Sequence, residues 1–302
     1  MDTYLQIFQD GYRNYAGYLW SELTHPHPKS YLLWLVGVSV FFFLVEALRP
    51  WRADQARFRK DFWLDAFYMF FNFFLFSLVI YNAASDVAVH AFNDLLARFG
   101  ITNLVAFEVS SWPVWAQLFT LFLVRDFVQW NVHRLLHRVP FLWEFHKVHH
   151  SVQEMGFAAH LRYHWMENVV YRALEYLPLA MIGFGIDDFF IVHIFTLTVG
   201  HFNHSNFRLP LGPLKYVFNN PQMHIWHHAK QLPAQHPYGM NFGLTLSVWD
   251  YVFGTACIPS DGRDIELGFD GDESFPQGFV GQLTHGPWNR PDRPATDAGD
   301  GD

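Results

Sequence analysis

Cysteine is almost absent from this 302-residue chain: Cys257 stands alone. One thiol excludes an intrachain disulfide framework and a cysteine-based zinc site. Charge is scarce as well. Only 16% of residues are Asp, Glu, Lys or Arg, against about 25% in a typical soluble domain. That is too little to cover a water-facing surface and points to a membrane protein. A basic excess is also missing. The formal net charge is −8, which argues against a nucleic-acid partner, because phosphate binding needs a basic face. The sequence shows no nucleotide-binding glycine loop and no repeat beyond the histidine triplets described below. The opening residues, MDTYLQIFQDGYRN, lack the basic start and apolar core of a cleavable signal peptide.

What the chain does have is oil: 51% hydrophobic and 19% aromatic residues. YLLWLVGVSVFFFLVEAL (31–48) is apolar apart from Glu46. FWLDAFYMFFNFFLFSLVIY (62–81) carries only Asp65 and Asn72 as strongly polar residues. Each approaches the roughly 20 apolar residues that a membrane helix needs. The loop between them holds Arg49, Arg52, Arg57, Arg59 and Lys60. Short basic loops stay on the cytoplasmic side, so the first span is expected to run inward and the second outward. ASDVAVHAFNDLLARF (84–99) reads as a short surface helix on the far side. A third span from about Pro113 to Val132 returns the chain to the cytoplasmic side at His133. Residues 169–202 are long enough for an out-and-back hairpin with GFGIDD as its turn, although Arg172 and Glu175 interrupt its first half. The expected fold is all-α: a multi-pass transmembrane helical bundle with a cytoplasmic histidine-rich dimetal cap. Residues 1–30 read as an N-terminal interfacial segment and 31–257 as the membrane-embedded domain. Residues 258–302 read as a C-terminal extension with a disordered acidic tail from about 286.

Histidine is the other excess, with 18 residues. His133 and His137 are four apart and share a helical face. His146, His149 and His150 fall at i, i+3 and i+4, and His224, His227 and His228 repeat that spacing. Neutral imidazole binds zinc, iron, copper and nickel. Eight imidazoles exceed the four of a tetrahedral zinc and suit two ions side by side. An isolated histidine is more often structural; two HxxHH motifs and one HxxxH on a single predicted membrane face are harder to explain that way. HLRYHWMEN adds His160, His164 and Glu167, and HFNHSN adds His201 and His204, all on the same predicted face. His25, His27, His90, His193, His236 and His285 lack such support and read as structural. A metal-bound histidine usually donates its other ring nitrogen to a carboxylate or carbonyl. Asp126 shares a helical face with Trp130, His133 and His137, making it a candidate partner for His133. Pairing of Asp126 with Arg125 or another helix is equally open.

HRLLH, HKVHHS and PQMHIWHHA resemble the histidine boxes of the fatty acid hydroxylase and sterol desaturase superfamily. The resemblance covers roughly residues 35–257 and extends to RYHWMEN, HSNFRLPLG and NFGLTLSVWDYVFGT. It implies an oxygen-dependent membrane enzyme with a histidine-rich dimetal centre, normally di-iron, that hydroxylates or desaturates lipids, sterols or carotenoids. Carried over by motif, the ligands are His133, His137, His146, His149, His150, His224, His227 and His228. His164 and His204 match positions less uniformly occupied by ligands, and His201 is a further candidate. Asp126 and Glu167 are the candidates for orienting the ligands. Trp165 stands where proline is common in the family, and Trp130 where tyrosine is common. The resemblance further implies two iron ions, with zinc through mis-loading, O₂ as cosubstrate, and a separate electron donor of ferredoxin or cytochrome type. The absence of a recognisable terminal retention signal favours a bacterial inner membrane over the endoplasmic reticulum.

Two other classes compete. A zinc- or iron-dependent membrane enzyme that does not use O₂ stays open, since imidazole does not choose between the metals. A metal transporter fits less well, because transporters place polar ligands near mid-membrane and these boxes lie outside the apolar runs.

Overall fold

The computed structural model describes residues 3–185 and 189–289. These are mostly helical, with one two-stranded parallel pairing of β1 (Phe107–Glu108) and β2 (Ile182–Gly183). Helix α1 (Tyr4–Thr24) starts at a capping box in which Thr3 and Gln6 satisfy each other's main-chain N–H groups. Helix α2 (Tyr31–Leu48) buries Leu35, Val38 and Phe42 on one stripe. It leaves Leu33, Trp34, Val36, Val40, Phe41 and Leu44 exposed on the others. Glu46, the one acid of this run, accepts main-chain N–H bonds from Phe157 (2.8 Å) and Asn206 (2.7 Å). An acid near the end of an apolar helix thus ties that helix to two loops.

Helix α3 (Phe62–Phe70) does not stop where the second apolar run ends. It continues through two π-helical turns, Phe71–Leu75 and Ser77–Tyr81, into α4 (Asn82–Arg98). The surface helix expected from 84 is therefore the continuation of the second apolar run. The physical reason is the lack of any Gly or Pro between 62 and 99 that would break the hydrogen-bond ladder. α1 packs along α4, with Gly11 placed against Ala83 and Asp86.

Helix α5 (Val114–Arg138) is one uninterrupted rod that carries the third apolar run and then His133 and His137. Pro140 opens α6 (Pro140–His150), which ends on His149 and His150. The expected hairpin appears as α7 (Trp165–Ala180) and α8 (Phe190–His204), 16 and 15 residues long. Both are shorter than the roughly 20 residues of a simple membrane span. Part of the GFGIDD turn, residues 186–188, lies outside the described residues. Helix α9 (Pro221–His227) is capped by Asn220, and the short helices α10 (Val248–Val252) and α11 (Phe279–Leu283) follow. Two helical segments, Tyr31–Leu48 and Phe62–Val79, are long and apolar enough to cross a bilayer.

The basic loop 49–61 packs onto the histidine-bearing segments. Trp51 N–H donates to Asn206 O (2.9 Å), and Gln55 Nε2 to Met155 O (2.9 Å). Arg59 is not a surface charge of that loop: it is buried against Asp65. Residues 258–289 wrap the same end. Leu267 packs with Val152, Met155 and Ile225, and Phe269 and Phe275 pack with Tyr68 and Val148. Of the tail expected from about 286, residues 287–289 form a 3₁₀ turn with Trp288 against Phe145, and 290–302 lie outside the described residues.

Candidate metal centre

The ends of α5, α6, α8 and α9 meet in the buried interior and bring nine imidazoles together in two groups. His133, His137, His146, His150 and His227 offer ring nitrogens all within 4.8 Å of one another, and so do His149, His204, His224 and His228. Each HxxHH motif divides between the groups. From α6, His146 and His150, four apart, enter the first group, while His149 enters the second. From α9, His227 enters the first, while His224 and His228 enter the second. The groups touch: the His150 and His228 rings stack with centroids 4.5 Å apart.

Local hydrogen bonds decide which nitrogen each ring presents. Nδ1–H donates to a main-chain carbonyl from His133 (Phe242, 2.8 Å), His149 (Arg162, 3.0 Å), His204 (Gly200, 2.8 Å) and His227 (Met240, 2.8 Å). His146 Nδ1–H donates to Glu167 Oε2 (2.9 Å). A neutral imidazole carries one N–H, so each of these rings presents Nε2 as a bare lone pair. These lone pairs converge. Nε2 of His133 lies 3.2 Å from Nε2 of His146, and Nε2 of His204 lies 3.3 Å from that of His149. Nε2 of His137, His150 and His227 is buried without a hydrogen-bond partner. Facing acceptors repel unless a cation lies between them, and orphaned buried nitrogens are otherwise costly. The donor set therefore fits two metal ions, each held by imidazole alone.

Burial sets the protonation state. It pushes the pKa of His133 down from the ordinary 6.5 to about 3 and that of His149 to about 4. It holds His137, His146, His150, His224, His227 and His228 well below the ordinary value. All are thus neutral at pH 7, the form that binds metal.

His164 and His201 lie outside both groups. His164 is the N-cap of α7: its Nδ1 accepts from Met166 N–H (3.1 Å) and its Nε2–H donates to Leu283 O (2.8 Å). Both its nitrogens are spent. His201 has Nδ1 2.9 Å from His160 Nδ1 and Nε2 3.1 Å from Ser39 Oγ. Asp126 does not reach His133. It accepts from Trp249 Nε1–H of α10 (2.8 Å) and from Thr245 N–H in the loop before it (3.2 Å), rather than pairing with Arg125.

The segment 239–243 plays a part that spacing does not reveal. Asn241 sits at φ +56°, a left-handed conformation that Asn tolerates better than most residues. The carbonyls on either side of it, Met240 and Phe242, both accept from histidines. Asp250 clamps this segment, accepting from Phe242 N–H (2.9 Å), Gly243 N–H (2.8 Å), Thr255 Oγ1–H (2.6 Å) and Trp130 Nε1–H (3.0 Å). Its only trace in the sequence is an acid inside the aromatic word VWDYVFGT.

A cavity of about 600 Å³ reaches this centre. His133, His146, His149, His204 and His224 form part of its wall, which mixes apolar side chains such as Phe73, Phe74, Leu161 and Leu197 with polar ones such as Asn72, Gln129 and Asn203. Asn72, Phe73, Phe74, Ser77 and Tyr81 enter that wall from the two π-helical turns, an irregularity often found at functional sites.

Known proteins share this core. Residues 118–255 match the family model described as fatty acid hydroxylase. The ornithine lipid hydroxylase OlsE of Rhizobium tropici is 30% identical over 62% of this chain and 55% of its own length. Alkylglycerol monooxygenase of Xenopus tropicalis is 33% identical over 48% of this chain and 31% of its own. Methylsterol monooxygenase 1-1 of Arabidopsis thaliana is 26% identical over 46% of each. The chain thus spans from about a third to about half the length of these relatives. No solved structure matches it. The matched region holds both HxxHH motifs and supplies all nine clustered histidines, so the part of the chain that carries the histidines, residues 118–255, is similar to the fatty acid hydroxylase family.

Proposed function

We propose that this chain is an integral-membrane oxygenase that hydroxylates or desaturates a lipid-like substrate with two iron ions, O₂ and electrons from a separate ferredoxin- or cytochrome-type protein. The observation that carries this reading is the set of nine clustered imidazoles whose converging nitrogens border a cavity with apolar side chains in its wall. The bound metal pair would supply the activation of O₂ that lets an unactivated C–H bond be attacked. Everything else falls to the protein. Nine neutral nitrogens hold the ions, with Glu167 and the carbonyls of Met240, Arg162, Gly200 and Phe242 fixing ring orientation. The lack of a thiolate suits an oxidising site, since cysteine sulfur would itself be oxidised. The cavity wall aligns an alkyl chain so that one carbon reaches a near-attack distance of about 3–3.5 Å. The relatives' names, hydroxylases and monooxygenases of ornithine lipid, alkylglycerol and methylsterol, support a lipid substrate.

We further propose a multi-pass topology with the histidine cap on the cytoplasmic side, in a bacterial inner membrane. The exposed apolar stripe of α2, with Trp63, Phe67 and Phe70 of α3, supports lipid contact. The packing of the basic loop against the histidine segments supports a shared cytoplasmic end.

A non-oxidative zinc enzyme is the second reading, favoured only by the all-imidazole donor set, which zinc also accepts. Purification without added metal, followed by iron and zinc analysis and oxygen-uptake measurement, separates the two. The expected result is about two irons per chain, given roughly four ligands per ion, with reductant-dependent O₂ uptake. His149→Ala and His227→Ala should each abolish metal loading and uptake, while His164→Ala should keep its metal. Turnover retained in both ligand variants, or zinc-only protein inert after Fe(II) reconstitution, would overturn the assignment.

A further inference from the structure

The cavity that borders the histidines also carries charge. Among the described residues, four Asp, Glu, Arg or Lys side chains line it: Arg125, Glu167, Arg172 and Glu175. Three have partners. Glu167 accepts from His146 Nδ1–H and from His164 N–H. Glu175 accepts from Gln129 Nε2–H (2.6 Å) and from Arg125 Nε–H (3.4 Å). Arg172, three residues before Glu175 on α7, has no hydrogen bond or ion pair among the described residues. One positive charge is left over in a cavity wall of mixed polar and apolar side chains.

Its place is informative. Arg125 precedes His133 by eight residues on α5, and Glu175 follows Glu167 by eight on α7. At 1.5 Å rise per residue, both spacings put this charged layer about 12 Å along the helices from the histidine end. A few charged or polar groups in a cavity wall commonly fix the orientation of a ligand. The Arg125–Glu175 pair explains itself as a bridge between α5 and α7; Arg172 does not. A hydrocarbon would gain nothing from it and a sterol or alcohol hydroxyl could offer it only a neutral acceptor, whereas an oxyanion would supply the stronger bonds of two opposite charges.

Resting on the oxygenase reading above, we propose that the substrate is an amphiphile with an oxyanionic head, a carboxylate or a phosphate, bound by Arg172 at the Arg125–Glu175 layer with its alkyl chain running to the histidines. Binding the head at a fixed depth selects which carbon of the chain meets the metals, so Arg172 determines both substrate class and the position of attack.

The test uses metal-free full-length protein in a maltoside detergent, where no lipid phosphate competes. Affinities for palmitate, palmitoyl lysophosphatidate and palmityl alcohol are measured by equilibrium dialysis. At least one of the anions should bind about tenfold or more tightly than the alcohol, the value of one charge-assisted hydrogen bond. Arg172→Gln should abolish that preference and Arg172→Lys should retain most of it. Both variants should keep the parent's unfolding midpoint, because Arg172 is exposed and holds no other group in place. Preference for palmitate identifies a carboxylate head, and preference for lysophosphatidate a phosphate head. Equal binding of all three ligands, or an anion preference that survives Arg172→Gln, overturns the proposal. Because no metal is present, these results are independent of iron content and O₂ uptake. Loss of the anion preference beside normal O₂ uptake refutes this inference alone; its presence in a protein that neither loads iron nor consumes O₂ refutes the oxygenase reading alone.

Discussion

A buried imidazole is useful to a metal only if its second nitrogen is spoken for. Glu167 and four main-chain carbonyls do this for His146, His133, His149, His204 and His227, which leaves Nε2 free to ligate. The same burial creates a pH dependence. In the unfolded chain His133 and His149 take up protons as pH falls through the ordinary 6.5, but in the folded protein they resist until about 3 and about 4. Between those limits the unfolded state binds more protons, so stability falls as pH falls. The contribution is fully present above about pH 6.5 and is lost progressively down to the folded values. The unfolding midpoint of metal-free protein in detergent should be level from pH 8 to 7 and drop steadily below 6. A midpoint that rises on acidification from 6.5 to 5 would contradict neutral buried rings.

Helical spacing carried much of the site. The i, i+3, i+4 triplets of α6 and α9 and the HRLLH pair of α5 are local facts of helix geometry. The division of each triplet between two groups is not local, because it depends on how the four helix ends converge. Close approach of α8 to the Phe157–Leu161 turn is one condition of that convergence. A methyl group added at Gly200 would fall within the His160 ring. Gly200→Ala should therefore push α8 and His204 outward, lowering metal content and costing about 1–3 kcal/mol of stability as an overpacked contact. Gly17→Ala on α1, where a Cβ meets open space, should be neutral or stabilising by up to about 1 kcal/mol. Metal analysis and unfolding midpoints on both variants check this; unchanged metal loading in Gly200→Ala would mean that the α8 contact does not position the centre.

At the scale of the whole molecule the basic loop, the histidine ends and residues 258–289 lie together, with Tyr68 of α3 packed among them. The proposed sidedness rests on the charge of that loop. In a Cys257→Ser background, an impermeant maleimide added to intact bacterial cells should label Phe99→Cys, at the exposed end of α4, and should spare Arg57→Cys in the basic loop. The reverse pattern would place the histidine cap on the outer face.

The sequence by itself determined the resemblance to the superfamily, the two long apolar helices and eight of the nine clustered histidines carried over by motif, with His204 as a weaker match. These are set by local spacing and hydrophobicity, which need no knowledge of the fold. Tertiary structure alone decided which nitrogen each ring presents, because Phe242 and Met240 lie more than a hundred and thirteen residues, respectively, from the histidines they fix. It separated His164 and His201 from the ligand groups, gave Asp126 to Trp249, and left Arg172 unpaired in the cavity wall. A hydrogen-bond partner is chosen by proximity in space, and two segments distant in sequence carry no sign of that proximity until the chain is folded.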